Sequence, residues 1–133
     1  MVNGHYVTAT ATGILVTPAT NNDQPWKNAD IVIIGTQSNA FTITGIAAPL
    51  SIAIIDIFVD GSGDGTLSRG PLTIINASGQ TMTVTNQDVA SSAANRISTG
   101  SGGAPANLSI ANGGTVVLIY DFDNNYWRVL CHT

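Results

Sequence analysis

Few residues in this 133-residue chain have side chains suited to chemistry, and their spacing limits what they can do. In "DGSGDG", residues 60–65, Asp60, Ser62 and Asp64 alternate ahead of Gly65, as at the start of a calcium loop. An EF-hand needs glutamate at the twelfth position, which is Pro71, so the stretch fits a glycine-rich turn better. Asp56 shares a strand face with Ile54 and Phe58, where a carboxylate acts as a general acid, pairs with an arginine or faces a partner subunit. His5, His132 and Cys131 are too few and too scattered for a zinc centre, which takes about four ligands. Cys131, the lone cysteine, is expected to be a free thiol packed on the strand face of Trp127 and Val129. No Gly-x-Ser-x-Gly elbow or phosphate-binding glycine loop occurs, and the chain has no glutamate. No catalytic residue, metal or cofactor is therefore expected.

Two stretches are suited to binding. In "VTPATNNDQPWKNAD", Trp26 and Lys27 sit in a Pro- and Asn-rich loop, where the ring either stacks on a sugar or protein surface or folds back over the core. In "VTNQDVASSAANRISTGSGG", Arg96 is one of only four basic residues and follows a run of small side chains. Small residues at 90–94 allow close backbone approach at a subunit or sheet contact. Arg96 would then bridge Asp88 or an acid of a neighbouring chain, and losing one member of such a half-buried pair costs roughly 3–5 kcal/mol. Arg96 is expected to be an assembly residue first. A small anion held at the interface is the alternative.

The elements that must position these residues are strands. "AFTITG" and "TMTVTN" alternate with period two, and further strands are expected at 6–12, 14–17, 31–35, 51–60 and 107–110. Ala77-Ser78-Gly79 suggests a hairpin, Asn112-Gly113-Gly114 and Asp123-Asn124-Asn125 suggest turns, and "ASSAAN" has room for one helical turn. The sequence predicts a single all-β domain over residues 1–133, an antiparallel β-sandwich or jelly roll of about ten short strands. "SIAIIDIFVD", "TVVLIY" and "IVII" are apolar on both faces, and with no helices to cover the second face an oligomer is expected, burial by loops of the same chain being the alternative. Charged residues make up 9% of the chain and the net charge is −4, which argues against nucleic acid or an anionic membrane as partner. No segment has the roughly 18 apolar residues of a transmembrane helix.

The second half carries a resemblance. "LTIINASGQTMTVTNQDVASSAANRISTGSG", then "LSIANGGTVVLIYD" and "YWRVL", resembles structural proteins of tailed phages: fibres, needles and short spikes. The matching positions are Asn76, Gly79, Asn95, Arg96, Ile97, Tyr120, Asp121, Trp127, Arg128 and Val129. The nearest likeness is the trimeric knob at the tip of a tail needle or a similar fibre head, which resembles tumour-necrosis-factor-like jelly rolls. The resemblance implies a homotrimeric, non-enzymatic head, the C-terminal part of a longer fibrous virion protein acting outside the cell. Its implied task is host-surface attachment, envelope penetration or plugging of the tail channel. It adds Asn95 to Arg96, Asp88, Trp26 and Lys27 as candidate binding or interface residues. A host saccharide or an outer-membrane component would be the partner. A carbohydrate-binding module of a secreted enzyme and a capsid decoration protein are the alternatives.

Overall fold

The computed structural model describes residues 10–49, 70–100 and 105–133. The strands are β1 (Thr10–Ile14), β2 (Thr20–Asn21), β3 (Ile31–Ile34), β4 (Phe41–Ile43), β5 (Leu72–Asn76), β6 (Met82–Val84), β7 (Ile97–Ser98), β8 (Leu108–Ile110), β9 (Thr115–Asp121) and β10 (Tyr126–His132). Six form sheet A, in the order β1-β3-β5-β9-β10-β7, and four form sheet B, in the order β2-β4-β6-β8. A 3-10 turn at Ala93–Asn95 lies within the "ASSAAN" stretch.

The described residues are thus nearly all-β, with ten strands in two sheets, as expected, but the antiparallel arrangement needs correction. β1, β3 and β5 are parallel neighbours in sheet A, and β2, β4 and β6 are parallel neighbours in sheet B. The first six strands therefore wind between the sheets as successive coils, with Thr10 beside Ile31, 21 positions later. This is not the antiparallel path of a jelly roll. Antiparallel pairing enters through β5–β9, β9–β10 and β6–β8, while β7 runs parallel to β10. The hairpin expected around 77–79 does not form, whereas β9–β10 is one. The signals at 77–79 and 112–114 instead carry the chain from one sheet to the other. Both kinds of connection use the same Gly and Asn turn chemistry, and a strand's alternation reports its buried face, not the direction of its neighbour.

The core lies between the sheets. Val32, Ile34, Leu72, Ile74, Val116 and Leu118 from sheet A meet Phe41, Ile43, Met82, Val84 and Ile110 from sheet B, all buried. Trp127 is fully buried and donates its indole N–H to the Ile46 carbonyl at 2.9 Å. Tyr120 packs edge-on against it, ring centroids 5.3 Å apart, and donates its hydroxyl to the Ala94 carbonyl. Each large ring thus buries its apolar body with its polar handle satisfied.

The outward faces differ in kind. On sheet A they carry Ile31, Ile33, Ile75, Val117 and Ile119 with Thr73 and Thr115 among them, all half-exposed. On sheet B, Thr20 lies beside Thr42, Thr42 beside Thr83, and Thr83 beside Ser109. Residues 51–60, Asp56, the 60–65 loop and His5 lie outside the described residues.

Two buried asparagines fasten the crossings between the sheets. Asn21 donates to the carbonyls of Thr17, Ala19 and Thr42, and its Oδ1 accepts from the Thr17 N–H and hydroxyl. Asn76 donates to the Gln80 and Ile110 carbonyls and accepts from Ser78. An arch turns its carbonyls inward where no strand pairs with them, and the amide side chain replaces that missing partner. Gly79, at φ 80°, supplies the left-handed turn in the second of these arches.

Candidate functional site

The segment 88–96 is the most densely tied loop among the described residues, and it is held by Asp23. The Asp23 carboxylate accepts from the Ser92 N–H and hydroxyl and from the Asn95 amide at 2.9 Å. The Ser91 hydroxyl accepts from the Asp23 N–H and lies 2.7 Å from the Thr44 hydroxyl. Thr44 also donates to Asn22 Oδ1. Asn95 reaches further, accepting the Ala48 N–H on its Oδ1 and the Ile46 N–H on its backbone carbonyl. Three connecting segments that leave sheet B, at 22–30, 44–49 and 85–96, are thereby joined by side-chain hydrogen bonds. Asp23 adopts φ 46°, a conformation that aspartate tolerates better than most residues. The Asn95 amide, then Ser92, hold its carboxyl below the ordinary carboxylate range.

Asn95 is therefore the best integrated of the expected residues. Arg96 sits one step away, half-buried, with its Nε donating to the Ser91 carbonyl at 3.2 Å. It does not bridge to Asp88, whose carboxylate instead accepts the Ala90 N–H in a local turn. Asp88 and Arg96 are only eight positions apart, but the intervening turn spends the carboxylate on its own backbone. The Trp26 ring is 6% exposed and belongs to the core, so the folded-back alternative holds and the ring offers no stacking platform. Lys27 beside it is half-buried. Asp23 went unnoticed in the sequence, although "NNDQP" carries the local signal of an aspartate ordering its own turn.

A second polar group lies on the β9–β10 hairpin. Asp121 accepts from Arg128 Nε, from the Asn124 side chain and from the N–H groups of Asp123 and Asn124. Arg128 also donates to the Tyr126 hydroxyl and covers its ring at 4.9 Å. Beside it, Ser98, Gly100, Arg128, Val129 and Leu130 line a cleft of about 260 Å³. Cys131, expected against Trp127, is exposed because a bulge between Val129 and Cys131 shifts the end of β10.

Arg128, followed by Asn124, brings the Asp121 carboxyl down from 3.8 to about 2. Since the folded state favours the ionised form, this contribution is complete above about pH 4 and drains away as pH falls towards 2. Asp23 shifts in the same direction and adds to the trend. Melting curves recorded at pH 6, 4, 3 and 2 should fall less steeply for Asp121→Asn than for the parent protein. Equal slopes would remove Asp121 from the acid response.

The chain matches no protein-family model, no curated protein and no solved structure. Its function must be inferred from its own residues.

Proposed function

We propose that this protein is a non-enzymatic head domain of a phage tail needle or fibre. It assembles as a homotrimer and acts at the host surface, in attachment, envelope penetration or plugging of the tail channel. The contrast between its two outward faces carries the reading. Ile31, Ile33, Ile75, Val117 and Ile119 form an apolar patch across three adjacent strands of sheet A, the kind of surface that subunit contacts bury. The hydroxylated face of sheet B remains for solvent and ligand. The carboxylates of Asp23 and Asp121 are engaged by donors within the chain, which favours a structural role for both. A carbohydrate module built on aromatic stacking is a poorer fit, because Trp26, Phe41, Tyr120 and Trp127 are all buried.

Sedimentation equilibrium tests the assembly. The parent protein should sediment at about three times its 13.7 kDa chain mass, at micromolar and at nanomolar concentration. Ile75→Lys, placing a charge on the middle strand of the patch, should shift the protein to monomer with its β circular dichroism retained. A monomeric parent protein would overturn the trimer, and binding to host cells tests the task.

A further inference from the structure

We infer that the outer face of sheet B is a binding track for an extended, uncharged polysaccharide lying across the strands. The inference rests on the host-surface reading above and gives it a site. The track is the cross-strand row Thr20–Thr42–Thr83–Ser109, in register over all four strands of the sheet. Neighbouring strands are about 4.8 Å apart, so the four hydroxyls span roughly 14 Å in a line. An extended polysaccharide advances by a similar distance per sugar, so one sugar meets each strand.

Among the described residues these hydroxyls are unspent, as are those of Thr36, Thr73, Thr81 and Thr115, and what sets the row apart is its register across a whole sheet. Those of Thr44, Thr85, Ser91, Ser98 and Thr99 are all engaged in hydrogen bonds within the protein. Those of Thr20, Thr42, Thr83 and Ser109 make none among the described residues, and none is sealed from solvent. The row offers four free donor–acceptor groups held in place by a paired sheet. The strands that carry it, β2, β4, β6 and β8, contain no charged residue, which disfavours nucleic acid and acidic glycans equally. They present no outward aromatic or arginine, the residues that anchor protein partners. A single hydroxyl contact in water is weak, so a lone sugar gains little here. A polymer that repeats the contact on every strand gains from all of them together.

Gel electrophoresis in the presence of polysaccharide tests this with the whole chain. Hydroxyethylcellulose, xylan and laminarin serve as neutral probes, and alginate as the charged control. At least one neutral polymer should retard the parent protein, and alginate should not. The double variant Thr42→Val/Thr83→Val keeps the shape and strand preference of the row but removes its two central hydroxyls. Its retention should be about tenfold weaker. Thr42→Ser/Thr83→Ser, which restores the hydroxyls, should recover most of it.

A parent protein that none of the neutral polymers retards, or a valine variant retained as well as the parent, would overturn the inference. Retention by alginate alone would do so as well, as would ice shaping without polysaccharide retention, which would make ordered water the occupant. Host-cell binding by the valine variant at the parent level would sink the track and leave the attachment reading intact. Polysaccharide retention by a protein that binds no cells would do the opposite.

Discussion

Asn76→Ala is expected to cost about 4 kcal/mol, a large share of the stability of a domain this size. The side chain is fully buried, and its removal strands the Ile110 carbonyl and the Ser78 N–H, while the Gln80 carbonyl and the Ser78 hydroxyl lose a partner but keep each other. Each group left without a partner costs on the order of 1–3 kcal/mol, and alanine leaves too little room for several waters to substitute. The effect reaches beyond one turn, because Ile110 belongs to β8 and the Asn76 backbone also accepts the Gly113 N–H. One side chain therefore closes two crossings between the sheets. Thermal unfolding at fixed protein concentration should show a midpoint roughly 15 °C lower. A loss of less than about 1 kcal/mol would mean that water replaces the amide and that the arch holds itself.

Gly45→Ala is expected to cost about 3 kcal/mol through overpacking, lowering the midpoint by roughly 10 °C. A Cβ built on Gly45 would stand 2.4 Å from the Ser91 hydroxyl and 2.6 Å from the Asn95 carbonyl oxygen. The second of these is backbone and cannot rotate aside. Gly45 also pairs with Arg96 in an isolated antiparallel bridge, so relieving the clash means lifting the whole 88–96 segment off sheet B. Loss of the Asp23–Ser92–Asn95 bonds would follow. A variant that melts like the parent would show that the segment can move as a unit at little cost.

The strands, their buried faces and the positions of most turns were legible in the sequence, because alternation and turn chemistry are local properties. "TVVLIY" carries its buried residues at Val116, Leu118 and Tyr120, as period two requires. What the sequence hid was pairing. Nothing within "LTIIN" says that its neighbours are β3, parallel, and β9, antiparallel. The coil spacing of 21 is equally hard to see, since Thr10–Ile14 and Ile31–Ile34 share little beyond β preference. The 84–103 stretch drew attention through Arg96, whereas the knot is centred on Asp23 and Asn95, about seventy positions apart. A hydrogen bond that long in sequence leaves no local trace. The two-sided apolar pattern of "IVII" and "TVVLIY" is visible in the sequence, and the fold gathers it on one face by placing Ile33 beside Ile75, with only Thr73 between Ile31 and Val117.

The winding also fixes where the chain tolerates added length. The crossings from sheet A to sheet B occupy residues 15–19, 35–40 and 77–81, five or six residues each. Backbone bonds stack them directly, from Gly35 N–H to the Ile14 carbonyl and from Gln37 N–H to that of Ser78. A residue inserted there would break contact with the crossings on either side. The return segments that lie wholly within the described residues, 22–30 and 85–96, have 9 and 12 residues. One flank of the domain is therefore held to five or six residues per crossing while the opposite flank takes longer segments of unequal length. New loops, tags or grafted peptides belong on that second flank, and related sequences should differ in length there first.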